Sequence, residues 1–543
     1  MTGQPFLRSP PFPGASTKQA AISALGGAGE SIDLALLEAV ARARVGGTYW
    51  GEQIEGLLLI VRRGVPVAQE QLAGVAPEQI GVLPGDLEAA LPAPGARLLP
   101  KDCDPWALVA QARSVHASID DEIALVAGLA GVPVFDGDGG RISPDLLAAA
   151  ASEVIGAAHY RNCFTGETIS AAQAVLLLED WRRHLDGNRG LAAASGMAFW
   201  KREAISNFLW DGRRSPPYLK SPAGLRRARA EGGALAIWPS RVPADVKVQA
   251  AALAVPIAQI EDGFLRSRGL GAALVPPSSV VVDRRGIYYD ATRPSDLETL
   301  LATYDFPPAL LARAAALRQR VCNSGVSKYG ASSAEHIDLP TGRRTILAIG
   351  QVEDDLSVRL GGGGIAGNLD FLGRVRAAEP DAWIIYRPHP DVRAGHRKGH
   401  VSEVAARRFV DKIDEGSSLM GLVCSVGAVH VLSSLTGFEA LMRGREVVVH
   451  GMPFFAGWGL TRDLASAPDR RGRTLTIDQL VAATLILYPR YLDPVTRLPC
   501  GPELLIDRMV DGAMPRTTWL VRLRELQGKL RRFMTLGAEF LHG

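Results

Sequence analysis

The clearest alternation of apolar and polar runs begins after residue 230. Ala234–Trp238 (ALAIW) is a short apolar run. A helix-like segment through Lys247–Leu253 follows, and then a second apolar run that ends at Ile260. Short apolar runs bounded by turn residues predict buried strands, and segments with a 3.6-residue period predict helices. Ser278–Asp283 (SSVVVD) and Gly286–Asp290 (GIYYD) predict a hairpin around Arg284-Arg285, and Ser295 and Glu298 have capping-box spacing at the start of a helix. A second set follows the polar linker Asp338–Arg344. It predicts strand Thr345–Gly350, helix Asn368–Pro380, strand Ala382–Pro388, strand Ala428–Leu432, helix Gly437–Gly444 and strand Glu446–Gly451. Strands alternating with helices of this length predict an α/β class, with parallel sheets covered on both faces and two lobes facing a cleft.

Upstream the pattern is less regular. Residues 1–30 are rich in Pro, Gly, Ser and Ala and predict a loose arm. Gly56–Ala68 reads as a buried strand and turn, and Ala172–His184 as a helix before a break at Asp186–Gly190. A weak internal repeat relates Cys103–Phe135 to Ser417–Val449, and Tyr160–Trp181 to Tyr488–Met509. The upstream copy lacks the polar groups of the downstream one, so it reads as a scaffold. The predicted order is an arm (1–30), a partial degenerate α/β module (31–190), an acceptor-side lobe (191–338), a donor-binding lobe (339–515) and a tail helix (516–543).

Composition narrows the function classes. The 543 residues are 47% hydrophobic and 22% charged, with 60 basic and 57 acidic side chains. So even a balance gives no general attraction to nucleic acid, and any anion site must be local. Five scattered cysteines form neither a zinc pattern nor a disulfide framework. No apolar run reaches the length of a spanning helix and no leader pattern opens the chain, which predicts a cytoplasmic protein. The tail carries six basic and two acidic residues in an amphipathic pattern. It suits either docking on an anionic membrane or packing on the body of the protein.

Three polar clusters stand at predicted carboxyl ends of strands, where open α/β sheets bind ligands. The first is Glu261-Asp262-Gly263. Two adjacent carboxylates are costly to bury ionised, so the pair is either a solvated acidic turn or a catalytic pair. The second is Arg387-Pro388-His389-Pro390-Asp391, where two prolines fix the backbone around an imidazole. His389 is either structural or able to donate to a departing phosphate. The third is Ser433-Ser434-Leu435-Thr436 before a helix, either a plain N-cap or an anion site. Gln351–Asp355, followed by Gly361–Gly364, lacks the Gly-Lys-Ser/Thr of a phosphate loop and reads as a cleft-lining loop without a metal.

The motifs resemble a known family. Glu261–Leu301, Gly350–Gly362, Tyr386–Arg397, Ser433–Thr461 and Leu485–Tyr491 are similar, in order, to the capsule polysaccharide β-Kdo transferases of the KpsC/LipA type. The resemblance implies a GT-B glycosyltransferase of two Rossmann-like lobes that moves Kdo, an acidic keto sugar, from CMP-β-Kdo to a Kdo-terminated glycolipid-linked acceptor with retention. It implies no cofactor beyond the CMP-Kdo donor. It also implies work at the inner-membrane face beside other capsule-assembly proteins. By that resemblance Asp262 is the nucleophile, with Glu261 in support. His389 serves the leaving phosphate, with Ser433, Ser434, Thr436, Pro390 and Gln351 around the nucleotide and Glu439 on its ribose. Arg266, Arg268, Lys328 and Arg387 are candidates for the sugar carboxylate or the acceptor. Trp238-Pro239 departs from the family's Trp-Gly and would stiffen that loop. Two further readings stand beside this one: transfer of another CMP-activated nonulosonic acid, and a non-catalytic assembly or export protein with relic motifs.

Overall fold

The computed structural model describes residues 3–26, 30–85, 89–265, 276–324, 326, 327, 330, 331, 339, 340, 342–395 and 397–512. The chain divides into two compact units. The smaller is Met1–Arg189 with Ile205–Pro216 and Thr496–Pro499. The larger is Gly190–Ala204 with Pro217–Val495 and Cys500–Gly543.

The smaller unit is built on a parallel sheet of β1 (Leu59–Arg62), β2 (Ile80–Leu83), β3 (Arg97–Leu98), β4 (Ser114–His116) and β5 (Val134–Phe135), in the order β3-β2-β1-β4-β5. Its core also takes in Phe6, Leu7, Phe12 and Ile22, residues that composition assigns to a loose arm. Pro, Gly, Ala and Ser together make up most of that stretch, but its few large apolar side chains are enough to seat it. Arg182 is almost fully buried, with Nη2 2.7 Å from the buried Asp104 carboxylate, and its Nη1 donates to the Tyr49 carbonyl at 2.8 Å.

The larger unit has two six-stranded sheets and a small antiparallel pair, Val326–Ser327 with Gly330–Ala331. In the first, β6 (Leu191–Ser195), β7 (Ala234–Ile237) and β8 (Ile257–Asp262) are parallel. β9 (Ser279–Asp283) runs antiparallel to β8 and is covered in turn by Pro489–Leu492. The second sheet is wholly parallel: β10 (Thr345–Ile349), β11 (Trp383–Arg387), β12 (Lys412–Ile413), β13 (Ala428–Val431), β14 (Glu446–Val449) and β15 (Arg462–Asp463). Their order is β12-β11-β10-β13-β14-β15.

The order of the first five strands here matches that of the smaller unit. The sequence repeat follows it, because both copies run helix, strand, helix, strand: Pro105–Val109, β4, Glu122–Leu129, β5 against Leu419–Ser425, β13, Leu435–Met442, β14. The upstream copy differs at its second helix. Asp121 caps that helix with its own carboxylate and pairs with Arg62 at 2.6 Å, so negative charge already occupies the position where the downstream copy offers a serine.

Two expectations fail locally. Gly286–Asp290 is a turn, not the second strand of a hairpin. The buried Asp283 carboxylate accepts the backbone N–H groups of Arg285, Gly286 and Asp296 and the Tyr488 hydroxyl, which turns the chain off the sheet. The helix expected from Gly437 begins at Leu435, because Ser434 accepts the Thr436 N–H as its cap. Gly437 lies inside that helix; a Cβ there would stand 2.7 Å from the Phe455 ring.

One core runs through both sheets of this unit. Phe264, just past β8, packs at 5.0 Å, with its ring tilted by 53°, against Phe454, just past β14. Beside it, the buried Glu298 binds Arg471 at 2.6 Å and Arg470 at 2.9 Å, and Arg471 also donates to the carbonyls of Pro453 and Ala456. Among the described residues no helix is long and apolar enough to cross a membrane.

Candidate active site

The carboxyl ends of β6, β7 and β8 lie side by side, with Ile237 in register with both Ser195 and Gln259. Asp262 ends β8 three residues further on. After β6 the chain makes a short 3-10 turn, Phe199–Lys201, which brings the Lys201 ammonium to 2.9 Å from Asp262 Oδ1. After β7 comes Trp238, buried and tied by its backbone N–H to the Ser195 carbonyl. Its ring centroid is 3.8 Å from Lys201 Nζ. Pro239 is the first residue of a 3-10 turn, where a missing N–H costs nothing. Gly263 is required by close approach, since a Cβ would meet that of Ser279 at 2.8 Å.

Glu261 precedes Asp262 and its Oε1 accepts the Asp262 N–H at 3.1 Å. Burial raises the Tyr289 phenol pKa well above the ordinary value, and the Glu261 and Asp355 charges push the same way. Its hydroxyl is buried and has no hydrogen-bond partner among the described residues.

The second sheet reverses direction of build between β10 and β13, and such a switch point opens a crevice beyond the strand ends. Gln351 follows β10 and Ser433 follows β13. The Gln351 amide holds Ser433 twice: Nε2 donates to Ser433 Oγ at 3.0 Å, and Oε1 accepts the Ser433 N–H at 2.7 Å. Asn368 fixes Gln351 in turn, accepting its N–H and donating to its carbonyl. Ser434, the cap, hydrogen-bonds Thr436 through both backbone and hydroxyl. A helix start lined by hydroxyls suits a phosphate, because its dipole and its unpaired donors point outward together.

His389 follows β11 and caps Pro390–Arg393. Its Nδ1 accepts the Asp391 N–H at 3.2 Å, so the ring proton sits on Nε2, where it can be donated. Arg387 pairs with the buried carboxylate of Asp414, which Ser417 also holds; its guanidinium is a strut of this loop. Glu439 is buried on the second turn of helix Leu435–Met442, one turn further in than the sequence suggests. Asp262 with Glu261, and Gln351 with Ser433, Ser434 and Thr436, are thus two groups at strand ends in one compact unit. Arg266, Arg268, Lys328 and the basic tail lie outside the described residues. No group of three or more His, Cys, Asp or Glu among the described residues could hold a metal ion.

Lys201, Tyr289 and Asn368 escaped sequence reasoning. Lys201 follows LAAAS, a strand of small residues whose pattern gives almost no signal. Asn368 sits at a predicted helix start, where capping is the ordinary reading.

A family model described as "Capsule polysaccharide biosynthesis protein" matches residues 233–310 and 304–491. The capsule polysaccharide modification protein LipA of Neisseria meningitidis serogroup A is 39% identical over 67% of this chain and 51% of its own length. The chain therefore spans about half the length of that relative. The lipopolysaccharide-processing protein LpsZ of Rhizobium meliloti is 37% identical over 54% of this chain and 69% of its own. A solved structure titled Thermosulfurimonas dismutans KpsC, beta Kdo 2,7 transferase, is 32% identical, covering 59% of this chain and 99% of its own at a TM-score of 0.49. The chain belongs to the capsule polysaccharide biosynthesis family of the KpsC/LipA type.

Proposed function

We propose that this chain is a retaining glycosyltransferase that moves Kdo from CMP-β-Kdo to a Kdo-terminated, glycolipid-linked acceptor, its larger unit forming the two lobes of a GT-B enzyme. The observation that carries this reading is the pairing within one unit of an ion-paired carboxylate at the end of β8 with a hydroxyl-lined helix start at the β10/β13 switch point. Titles of relatives that name capsule modification and Kdo transfer support it.

In this reading Asp262 attacks the anomeric carbon, and the bond from that carbon to the CMP phosphate breaks with its electron pair on the phosphate. His389 Nε2–H and the Ser433–Thr436 helix start receive the charge that develops there. The resulting sugar ester is then attacked by the acceptor hydroxyl. Its proton passes to Glu261, and the Asp262 carboxylate is released. Two inversions give net retention. A glycolipid acceptor places the work at the cytoplasmic face of the inner membrane, beside other capsule-assembly proteins.

The test is incubation with CMP-Kdo generated in situ and a synthetic Kdo-terminated lipid, reading product mass and anomeric configuration. The expected product is one β-linked Kdo longer, and Asp262→Asn makes none. An inverted product, or equal transfer by Asp262→Asn, overturns the mechanism. Transfer only from a different CMP-linked acidic sugar overturns the donor.

A further inference from the structure

We propose that the loops after β6 and β7 form the subsite for the acceptor's terminal acidic sugar, with Phe199 as the face its ring stacks on and Arg241 as the partner of its carboxylate. The inference rests on the transfer reading above and adds the residues that choose the acceptor. Phe199 is 68% exposed. It opens the turn Phe199–Lys201 that brings Lys201 to Asp262, and the ring centroid of Trp200, next in the chain, is 5.2 Å from that ammonium. An aromatic ring left in water gains none of the burial that holds a core side chain, so the fold gives no reason for a phenylalanine here. A sugar does: the C–H face of its ring is apolar, and an exposed aromatic face near a reacting carboxylate is where it can stack.

The second loop supplies the charge. Gly196, just past β6, has a φ of +82°, and a Cβ there would stand 2.8 Å from the Val242 side chain and 3.1 Å from the Trp238 carbonyl. The two loops therefore pack on one another at the end of the sheet that carries Asp262. Pro239–Arg241 is the turn that opens the second loop, and Ser240 and Arg241 are exposed. A guanidinium binds a carboxylate through two parallel N–H groups, so the patch offers one group for each half of an acidic sugar. The hydroxyl-lined helix start that suits the donor phosphate follows β13 of the second sheet, which leaves this patch of the first sheet to the acceptor.

The test measures transfer from saturating CMP-Kdo by wild type, Phe199→Ala, Phe199→Tyr and Arg241→Gln. Two synthetic acceptors are used, one ending in Kdo as the free acid and one in its methyl ester. Phe199→Ala is expected to raise the acceptor KM about 10-fold or more, and Phe199→Tyr, which keeps the ring, to stay within about threefold of wild type. Arg241→Gln is expected to raise it about 5- to 20-fold with the free acid and less than about twofold with the ester. The donor KM is expected to change less than about threefold in each variant. Both positions are exposed, so the unfolding temperatures of the variants should match that of wild type. The inference is overturned if either Phe199→Ala or Arg241→Gln leaves the acceptor KM within about twofold of wild type. A loss confined to the donor KM, or an Arg241→Gln loss of equal size with acid and ester, overturns it too. In each of these cases wild type still transfers, and only this inference falls. If wild type moves no Kdo from CMP-Kdo to either acceptor, the transfer reading falls and takes this inference with it.

Discussion

Glu298 offers the most quantitative test of how the larger unit is held together. It lies on the helix Asp296–Thr303 that follows β9, and it meets Arg470 and Arg471 of the 3-10 turn Asp469–Arg471 that follows β15. Glu298 and Arg471 are 6% and 5% exposed. Burial lowers the Arg471 pKa and the Glu298 carboxylate pulls it back up, but a guanidinium so far above neutrality stays charged. Glu298→Gln therefore leaves a buried cation facing an amide with a single acceptor. Breaking one side of a buried pair costs about 3–5 kcal/mol, which for a body of this size is a fall in Tm of roughly 4–7 °C. Glu298→Met with Arg471→Met removes both charges at similar volume and should recover most of that loss. Thermal and urea unfolding, followed by tryptophan fluorescence, give the cycle. A single variant within about 1 kcal/mol of wild type, or a double variant worse than the sum of the singles, would refute the reasoning.

Three further outcomes follow from particular contacts. Gly263→Ala drives a methyl group against Ser279 and should cost about 1–3 kcal/mol of stability while cutting transfer more than that loss explains; Ser279→Gly in the same chain should restore part of both. His389→Ala should lower kcat by about 100- to 1,000-fold, with His389→Gln in between because it keeps a neutral N–H donor; a change in acceptor KM alone would contradict the assignment. His430 and His450 lie 3.1 Å apart, and burial is the main reason their pKa values fall from 6.5 to about 3 and about 4. The unfolded chain then binds more protons below pH 6.5, so stability falls as the pH drops from there towards 4, each ring adding a slope of about 1.4 kcal/mol per pH unit at mid-window. In His430→Leu the fall of Tm between pH 6 and 4.5 should be shallower, and an unchanged slope would show that the ring is not buried neutral.

What the sequence made legible is what leaves a local pattern. β7, β8 and the second set of strands carry branched apolar runs, and the Glu-Asp-Gly, Pro-His-Pro and Ser-Ser clusters sit at their ends as expected. β6, a leucine followed by four small residues, leaves almost no such pattern, and Lys201 goes unseen with it. The hairpin after Asp283 was misread because its strand-like spacing is overruled by one buried carboxylate gathering three N–H groups. The Gln351–Ser433 clamp joins residues 82 positions apart, and only the sheet order brings them together. The repeat shows as weak sequence similarity, yet its two copies share five strands in one order, because backbone topology outlasts the polar side chains that a site needs. Arg387 shows the converse: its place in a motif suggests ligand binding, and Asp414 has claimed it.

The central claim is that Asp262 forms a covalent sugar ester, and the most direct measurement is the intact mass of the protein after incubation with CMP-Kdo and no acceptor, followed by peptide mapping. The account predicts a gain of one Kdo residue, located on the peptide that carries Asp262, absent from Asp262→Asn and discharged when the acceptor is added. A stable adduct on any other residue, or transfer that proceeds at full rate through no adduct at all, would contradict it.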